Sequence, residues 1–321
     1  MPLEARPPRA IRSLRFHRYG PPAEVLQLDT LEAPRPGPGQ IRVAVHACGL
    51  NPADWALCRG LFADTLPRGV GLEVSGVVEA LGEGVHDVAL GALVFGPTFW
   101  RGPTAGASDL ALLSHWTAVP AGLDLLQAAA LPMVAETAFR GIDGLGVEAG
   151  QTVLVHGAGT MVGYAAVQLV LLRGARVIAT AGPTYAGDLR ALGARVTDYG
   201  NGMAERVTAL AHGPVDRAFD TGPDSDVLPA LIQVTGAPDR VMTVNFPAAK
   251  AFGVRTGQNV LRYDQLPEFA RLAAQGSLRV PIARIYPLEG WRDALQRSQS
   301  GSARGKLLLA ISDGALARVD G

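Results

Sequence analysis

The sequence predicts an α/β protein of two domains, a doubly wound parallel sheet and a β-rich domain built from both ends of the chain. Three observations carry this. Between about residues 130 and 262, apolar runs alternate with helix-length segments, the rhythm of repeated βαβ units. Residues 1 to about 128 instead hold short β-branched runs punctuated by Gly and Pro. After LPEFARLAAQG, a helix expected to end at Gly276, the strand-like runs RVPIARIYPL and GKLLLAI return. With 321 residues, 48% of them hydrophobic, the chain is long enough for two cores.

In the first part the expected strands are IRVAVHACG, EVSGVVEAL and ALVFG, separated by PRPGPGQ, LGEG and GPTFWRGPTAG. In the second they are TVLVHG, ARVIAT, ARVTDY, VDRAFDT and DRVMTVN, with VGYAAVQLVLLRG and YAGDLRALG as helices between them. These later strands lack polar alternation, as strands covered by helices on both faces do.

The charge balance narrows the function. Twenty-nine basic residues offset 29 acidic ones, and the scattered arginines form no polybasic stripe, so neither nucleic acid nor an anionic membrane surface is an expected partner. The N-terminal MPLEARPPRAIRSLRF has no apolar run behind its positive charge and does not read as a secretory signal, which makes the cytoplasm the expected compartment. MVGYAAVQLVLL falls short of the roughly 20 apolar residues of a spanning helix. Cys48 and Cys58 are expected to be buried free thiols.

The stretch HGAGTMVG, residues 156 to 163, follows the first strand of the βαβ region. A glycine turn at that place lets a diphosphate approach the backbone and aims a helix N-terminus at its charge. Gly157 and Gly159 fit the GxGxxG pattern, but its third glycine falls at 163 rather than 162. The second strand ends in Thr180-Ala181-Gly182-Pro183, with no carboxylate before Asp188. A ribose 2′-phosphate would meet no repulsion there, so NADPH is the expected cofactor, with Thr180, Tyr185 and Arg190 as nearby donors.

These residues resemble the medium-chain dehydrogenase/reductase superfamily, in particular its zinc-independent quinone oxidoreductase branch. That branch carries a motif close to HGAxGGVG, which brings Gly163 into register and leaves Thr160 and Met161 in place of two glycines. GLNPADWALCRG, GLEVSGVVEALGEGV, ALPMVAETAFRGI and ARGKLLLAI match it as well. The resemblance implies a Rossmann domain over 129–262 and a GroES-like catalytic domain over 1–128 and 263–321. It places Gly159, Thr160, Met161 and Val162 against the diphosphate, beside Gly157; where the branch has glycine, the Thr160 Oγ is expected to add a phosphate hydrogen bond of its own. Thr180 and Ala181 fall near the adenosine ribose, and Tyr199 near the adenine. Thr221 follows the fourth strand. Val244, Asn245, Phe246, Thr137 and Asn259 fall near the nicotinamide. A homodimer is implied too.

Zinc-dependent relatives have a catalytic cysteine where this chain has Asn51, and a histidine where it has Leu72, so no metal is expected. The candidates for stabilising charge on the acceptor are the Asn51 amide and the Trp55 indole N–H, while Asp54 is expected to brace the loop. By the same resemblance Lys306 is a candidate contact near the nicotinamide, but a lysine capping a strand is the expected reading. Phe62, Phe99, Trp100 and Trp55 are candidates for an aromatic acceptor site. The implied activity is hydride delivery from NADPH to a small-molecule quinone or α,β-unsaturated carbonyl. Two alternatives remain open: a tailoring ene-reductase of one biosynthetic pathway, and a non-catalytic NADP(H) sensor.

Overall fold

A computed structural model of the protein describes residues 9–257 and 261–317. The chain begins with strand β1 (Ala10–Phe16), helix α1 (Pro22–Val25), β2 (Leu26–Glu32), β3 (Ile41–Leu50) and α2 (Pro52–Cys58). It continues with β4 (Arg68–Gly69), β5 (Glu73–Leu81), β6 (Leu93–Pro97), β7 (Leu110–Leu113), β8 (Thr117–Ala118), α3 (Leu125–Ala129) and α4 (Pro132–Gly144). The alternating stretch follows as β9 (Thr152–His156), α5 (Met161–Leu172), β10 (Arg176–Thr180), α6 (Pro183–Ala191), β11 (Arg195–Thr197) and α7 (Met203–Ala211). Next come β12 (Arg217–Asp220), α8 (Leu228–Thr235), β13 (Val241–Thr243), α9 (Phe246–Phe252) and β14 (Arg255–Thr256). The last elements are α10 (Leu266–Ala274), β15 (Ile282–Pro287), α11 (Trp291–Gln299), β16 (Lys306–Ala310) and α12 (Asp313–Leu316).

Two compact units result. One holds the residues up to Met133, Leu266–Ala274 and those from Ile282 on; the other holds Val134–Gln265 and Gln275–Pro281. The first is the GroES-like unit, built on a seven-stranded sheet in the order β15-β16-β3-β5-β6-β8, with β7 also on β3, and on a three-stranded sheet β2-β1-β4. All pairings in it are antiparallel except β15 with β16. Strand β3 shows why it forms. Ile41, Val43 and Val45 are buried while Arg42, Ala44 and His46 are half-buried, the period of two that gives a strand one core face. From Ala47 to Leu50 every residue is buried, because here β3 lies between β5 and β16.

The second unit is Rossmann-like: a parallel six-stranded sheet in the order β11-β10-β9-β12-β13-β14. In the first strand, β9, Val153, Leu154 and Val155 are fully buried, as its continuous apolar run requires. The order in which strands are added reverses at β9, with β10 on one side and β12 on the other, so the turn after β9 sits at the switch point where doubly wound sheets take their ligands. Among the described residues no helix is long and apolar enough to cross a membrane. Cys48 and Cys58 are free and buried.

Candidate active site

The GroES-like unit gathers four polar side chains in its interior. Sheet register does the placing: Glu73 on β5 stands opposite Gly49 on β3, and Leu307 on β16 stands opposite Leu50. Glu73, Asn51 and Lys306 therefore converge where β3 ends. Lys306 Nζ donates to Asn51 Oδ1 at 2.6 Å and to Glu73 Oε1 at 2.5 Å. Asn51 Nδ2 donates to the same Glu73 oxygen at 2.9 Å, and the Met133 backbone N–H donates to Glu73 Oε2 at 2.8 Å. Gly49 is required for this packing, since a methyl group there would lie 2.6 Å from Glu73 Oε1 and 2.5 Å from the Ala129 carbonyl.

Asp54 braces the start of α2. Its two carboxylate oxygens accept the backbone N–H groups of Asn51 at 2.7 Å and Gly71 at 2.8 Å, which fixes the loop as the sequence suggested. Burial raises its pKa to about 7, against those two hydrogen bonds and the nearby Lys306 charge, which pull it down. Burial likewise pushes the Cys48 thiol well above its ordinary range.

Three expectations are corrected here. Trp55 is a core residue whose indole N–H is taken by Ser298 Oγ on α11 at 2.8 Å, so it does not face an acceptor. Asn51 does not hold a ready amide donor, because both ends of its carboxamide are tied into the Glu73–Lys306 pair. Lys306 does more than cap a strand: it is 3% exposed and paired with Glu73, itself fully buried. Neither partner was chosen as a site residue from sequence, although Lys306 is one of only two lysines in the chain.

In the Rossmann-like unit, the turn after β9 is held by hydroxyls. Thr160 caps α5, its Oγ1 accepting the Gly163 N–H at 3.0 Å. It donates to Thr221 Oγ1 at 3.1 Å, and Thr221 in turn reaches the carbonyls of His156 at 2.8 Å and Gly157 at 3.0 Å. The Thr160 proton is thus spent within the protein, which corrects the expected phosphate hydrogen bond from that hydroxyl. Thr180 Oγ1 accepts the Gly157 N–H at 3.1 Å and lies 2.9 Å from His156 Nδ1. Burial lowers the His156 pKa, so at neutral pH the imidazole is uncharged and its Nδ1 can take the Thr180 proton.

The two flanking glycines serve different ends. Gly157 has φ of 71°, and a methyl group on it would press to 2.7 Å of the Gly222 nitrogen. A methyl group on Gly163 would lie 2.4 Å from the Gly157 carbonyl, so Gly163 lets α5 approach the strand. Around Gly159 nothing lies within 4 Å of such a group, which leaves the turn open on the side where the first N–H groups of α5 are unpaired. The Thr160 N–H is itself given to the Gly157 carbonyl at 2.9 Å, so the backbone left to meet a diphosphate is that of Gly159, Met161 and Val162.

The remaining expected contacts are scattered over this unit. Thr137 is half-buried on α4, and Ala181 is buried just past β10. Tyr199 is 61% exposed and borders Gly182. Tyr185, expected among the donors near the ribose, has its ring buried against Tyr164, with centroids 5.2 Å apart. Val244 donates its backbone N–H to the Asp220 carbonyl at 3.1 Å, Asn245 caps α9, and Phe246 is exposed. Asn259 lies outside the described residues.

Comparison with known families fits both units. The family described as Alcohol dehydrogenase GroES-like domain matches residues 37–122, and that described as Zinc-binding dehydrogenase matches residues 147–309. The chain belongs to the medium-chain dehydrogenase/reductase superfamily. Over 158 residues, 49% of this chain and 7% of the relative, it is 44% identical to Spectinabilin polyketide synthase system protein NorB of Streptomyces orinoci. Over 180 residues, 54% of each protein, it is 36% identical to the Quinone oxidoreductase of Homo sapiens. The chain thus spans about half the length, or far less, of these relatives. The solved quinone oxidoreductase from Coxiella burnetii superposes with a TM-score of 0.81 at 27% identity, over 95% of this chain and all of that one.

A zinc ion, as the second family description implies, does not fit the donors present. Both oxygens of Glu73 are already engaged by Lys306, Asn51 and Met133, and the Asn51 carboxamide is tied to Glu73 and Lys306. Among the described residues no three His, Cys, Asp or Glu side chains are grouped as a metal site.

Proposed function

We propose that this protein is an oxidoreductase that uses NADPH, and no metal ion, to reduce a quinone or an α,β-unsaturated carbonyl compound. The observation that carries the reading is the Lys306–Glu73–Asn51 cluster, which puts an ammonium where a metal-dependent site needs open ligands. Reducing a simple ketone builds a localised alkoxide, for which a Lewis acid is the usual answer. A conjugated acceptor spreads that charge, so less electrostatic help is needed. The nicotinamide, when bound, supplies the hydride. The backbone of Gly159, Met161 and Val162 and the positive end of α5 hold the diphosphate, and the hydroxyl chain of Thr160 and Thr221 keeps that turn rigid. The choice of NADPH over NADH rests on the absence of any carboxylate from Thr180 to Gly187.

Following NADPH consumption with a panel of quinones and enones tests the reading, with NADH in parallel and a zinc chelator as control. Acceleration by at least one acceptor, unaffected by the chelator, is expected. No turnover with any acceptor overturns the reaction, and equal or tighter NADH binding overturns the cofactor preference.

A second reading is favoured by the match to NorB, whose name places it in a polyketide synthase system. In it the acceptor is an enone intermediate of one biosynthetic pathway, and enones would turn over while quinones would not. We place the protein in the cytoplasm as a homodimer. A monomer in sedimentation at micromolar concentration contradicts the latter.

A further inference from the structure

Arg68 on β4 is the most deeply buried arginine among the described residues, fully inaccessible to solvent, and it makes no ion pair there, although its charge is felt by Asp64. Its Nη1 donates to the Phe62 carbonyl at 2.9 Å, and its guanidinium carbon lies 5.0 Å from the Trp100 ring centroid and 5.8 Å from that of Phe16. Its Nε and Nη2 are buried and have no hydrogen-bond partner. Those two donors form one edge of the guanidinium, and elsewhere this chain uses that edge to grip carboxylates. Arg12 holds Asp109 through it at 3.1 and 2.7 Å, Arg262 holds Asp264 at 3.0 Å with both donors, and Arg271 holds Glu268 at 2.8 and 2.6 Å. Asp64, the carboxylate nearby in sequence, is bonded to Arg101 instead, at 2.8 Å.

A permanently charged guanidinium with two unmet buried donors is costly to keep, and a two-oxygen anion satisfies both donors and the charge together. We propose that the Nε–Nη2 edge of Arg68 binds an oxyanion of the acceptor, a carboxylate in the first instance. The acceptor is then a quinone or enone that carries an acid group, a refinement that rests on the reductase reading. The edge is covered in this structure, so entry of the anion has to displace the side chains over it, and those surroundings suit its apolar body. Phe62 stacks obliquely on Trp100 at 5.9 Å, and Leu61, Phe62 and Phe99 are 38%, 56% and 41% exposed on the loops beside Arg68. Phe62 also has φ of 51°, an uncommon backbone state for a bulky residue, and its carbonyl is the group tied to Arg68.

Calorimetric titration of the full-length protein, without cofactor, with benzoate, its neutral counterpart benzamide and inorganic phosphate tests this. Saturable benzoate binding, at least tenfold tighter than benzamide and weakened at least tenfold by Arg68→Met, is expected. Phosphate saturating the site in place of benzoate keeps the oxyanion site and assigns it a phosphate-bearing acceptor. Equal binding of benzoate and benzamide, no saturation by either anion, or full binding by Arg68→Met overturns the proposal. Arg68→Lys keeps the charge without the two-donor edge and is expected to bind benzoate at least tenfold more weakly; if neither variant folds, the wild-type contrast between benzoate and benzamide decides. Turnover of uncharged quinones without benzoate binding removes only the Arg68 site, whereas benzoate binding without any turnover removes only the reaction.

Discussion

The two candidate sites solve opposite electrostatic problems with different materials. In the GroES-like unit the groups at the end of β3 are ionisable and buried: the Glu73–Lys306 pair and Asp54 carry the structure, and Asn51 links them. In the Rossmann-like unit the turn after β9 holds no charged side chain; Thr160, Thr180, Thr221 and a neutral His156 do the bonding. A site that must receive an anion is best left with unspent backbone N–H groups and no competing charge. A site that must keep a polar cluster dry needs each charge answered within the protein. The contrast predicts that the first region fails abruptly when one partner is removed, and the second by small steps.

The largest effect is expected for Lys306→Met, which leaves the Glu73 carboxylate buried without its cation. Removing one partner of such a pair destabilises by about 3–5 kcal/mol. Glu73→Gln on the same background should recover a substantial part of the loss. Urea unfolding midpoints of the two single variants and the double variant read this directly. Additive losses would show that the pair is not coupled, and the contrast between the units would go with it.

Next in size is a pH effect from Asp54. Unfolded, it loses its proton near 3.8; folded, it holds it to about 7. The folded state therefore binds more protons between those values, so this contribution is fully present below pH 3.8 and is lost as pH rises through 7. The integrated change is at most about 4 kcal/mol. Melting temperatures between pH 5 and 8 should fall with pH, and Asp54→Asn should flatten that slope whatever it does to absolute stability. An unchanged slope in the variant assigns the dependence elsewhere.

In the Rossmann-like turn, Gly163→Ala should cost about 1–3 kcal/mol, because the added methyl group meets backbone at 2.4 Å and the Thr221 hydroxyl at 2.6 Å. NADPH affinity should fall with it, measured by fluorescence titration. A neutral outcome would mean that α5 can slide on β9 without disturbing the turn.

How much of this was legible in the sequence follows from the range of the interactions. The parallel unit was readable because its signals are local: Val153 to Val155 form one apolar run, and Gly157, Gly159 and Gly163 lie within seven residues of each other. Strands such as β4 and β8, of two residues each, carry no period to detect. The charge cluster was invisible for another reason. Lys306 lies 233 residues from Glu73 and 255 from Asn51, and only the pairing of β16 with β3 joins them. Trp55 was misread because the group that takes its indole N–H, Ser298, is folded back onto α2 from 243 residues away. Arg68 gave no signal, since an arginine in LPRGVG reads as an ordinary surface residue until its burial is known.

The smallest effect separates a cap from a ligand contact at Thr160. Its hydroxyl accepts the Gly163 N–H and gives its own proton to Thr221, so the side chain is needed to start α5 and to hold the turn, not to touch phosphate. Thr160→Ala should then lose about 1 kcal/mol of stability, and Thr160→Gly only a few tenths more or less than wild type, as caps elsewhere do. Thr160→Ser keeps both hydrogen bonds and should match wild type. NADPH affinity should stay within about threefold in all three, since each 1.4 kcal/mol is needed for a tenfold change. If Thr160→Gly instead weakens NADPH tenfold while its melting temperature holds, the hydroxyl is turning to the phosphate on binding, and the Rossmann-like turn is less finished before its ligand arrives than the charged cluster of the other unit.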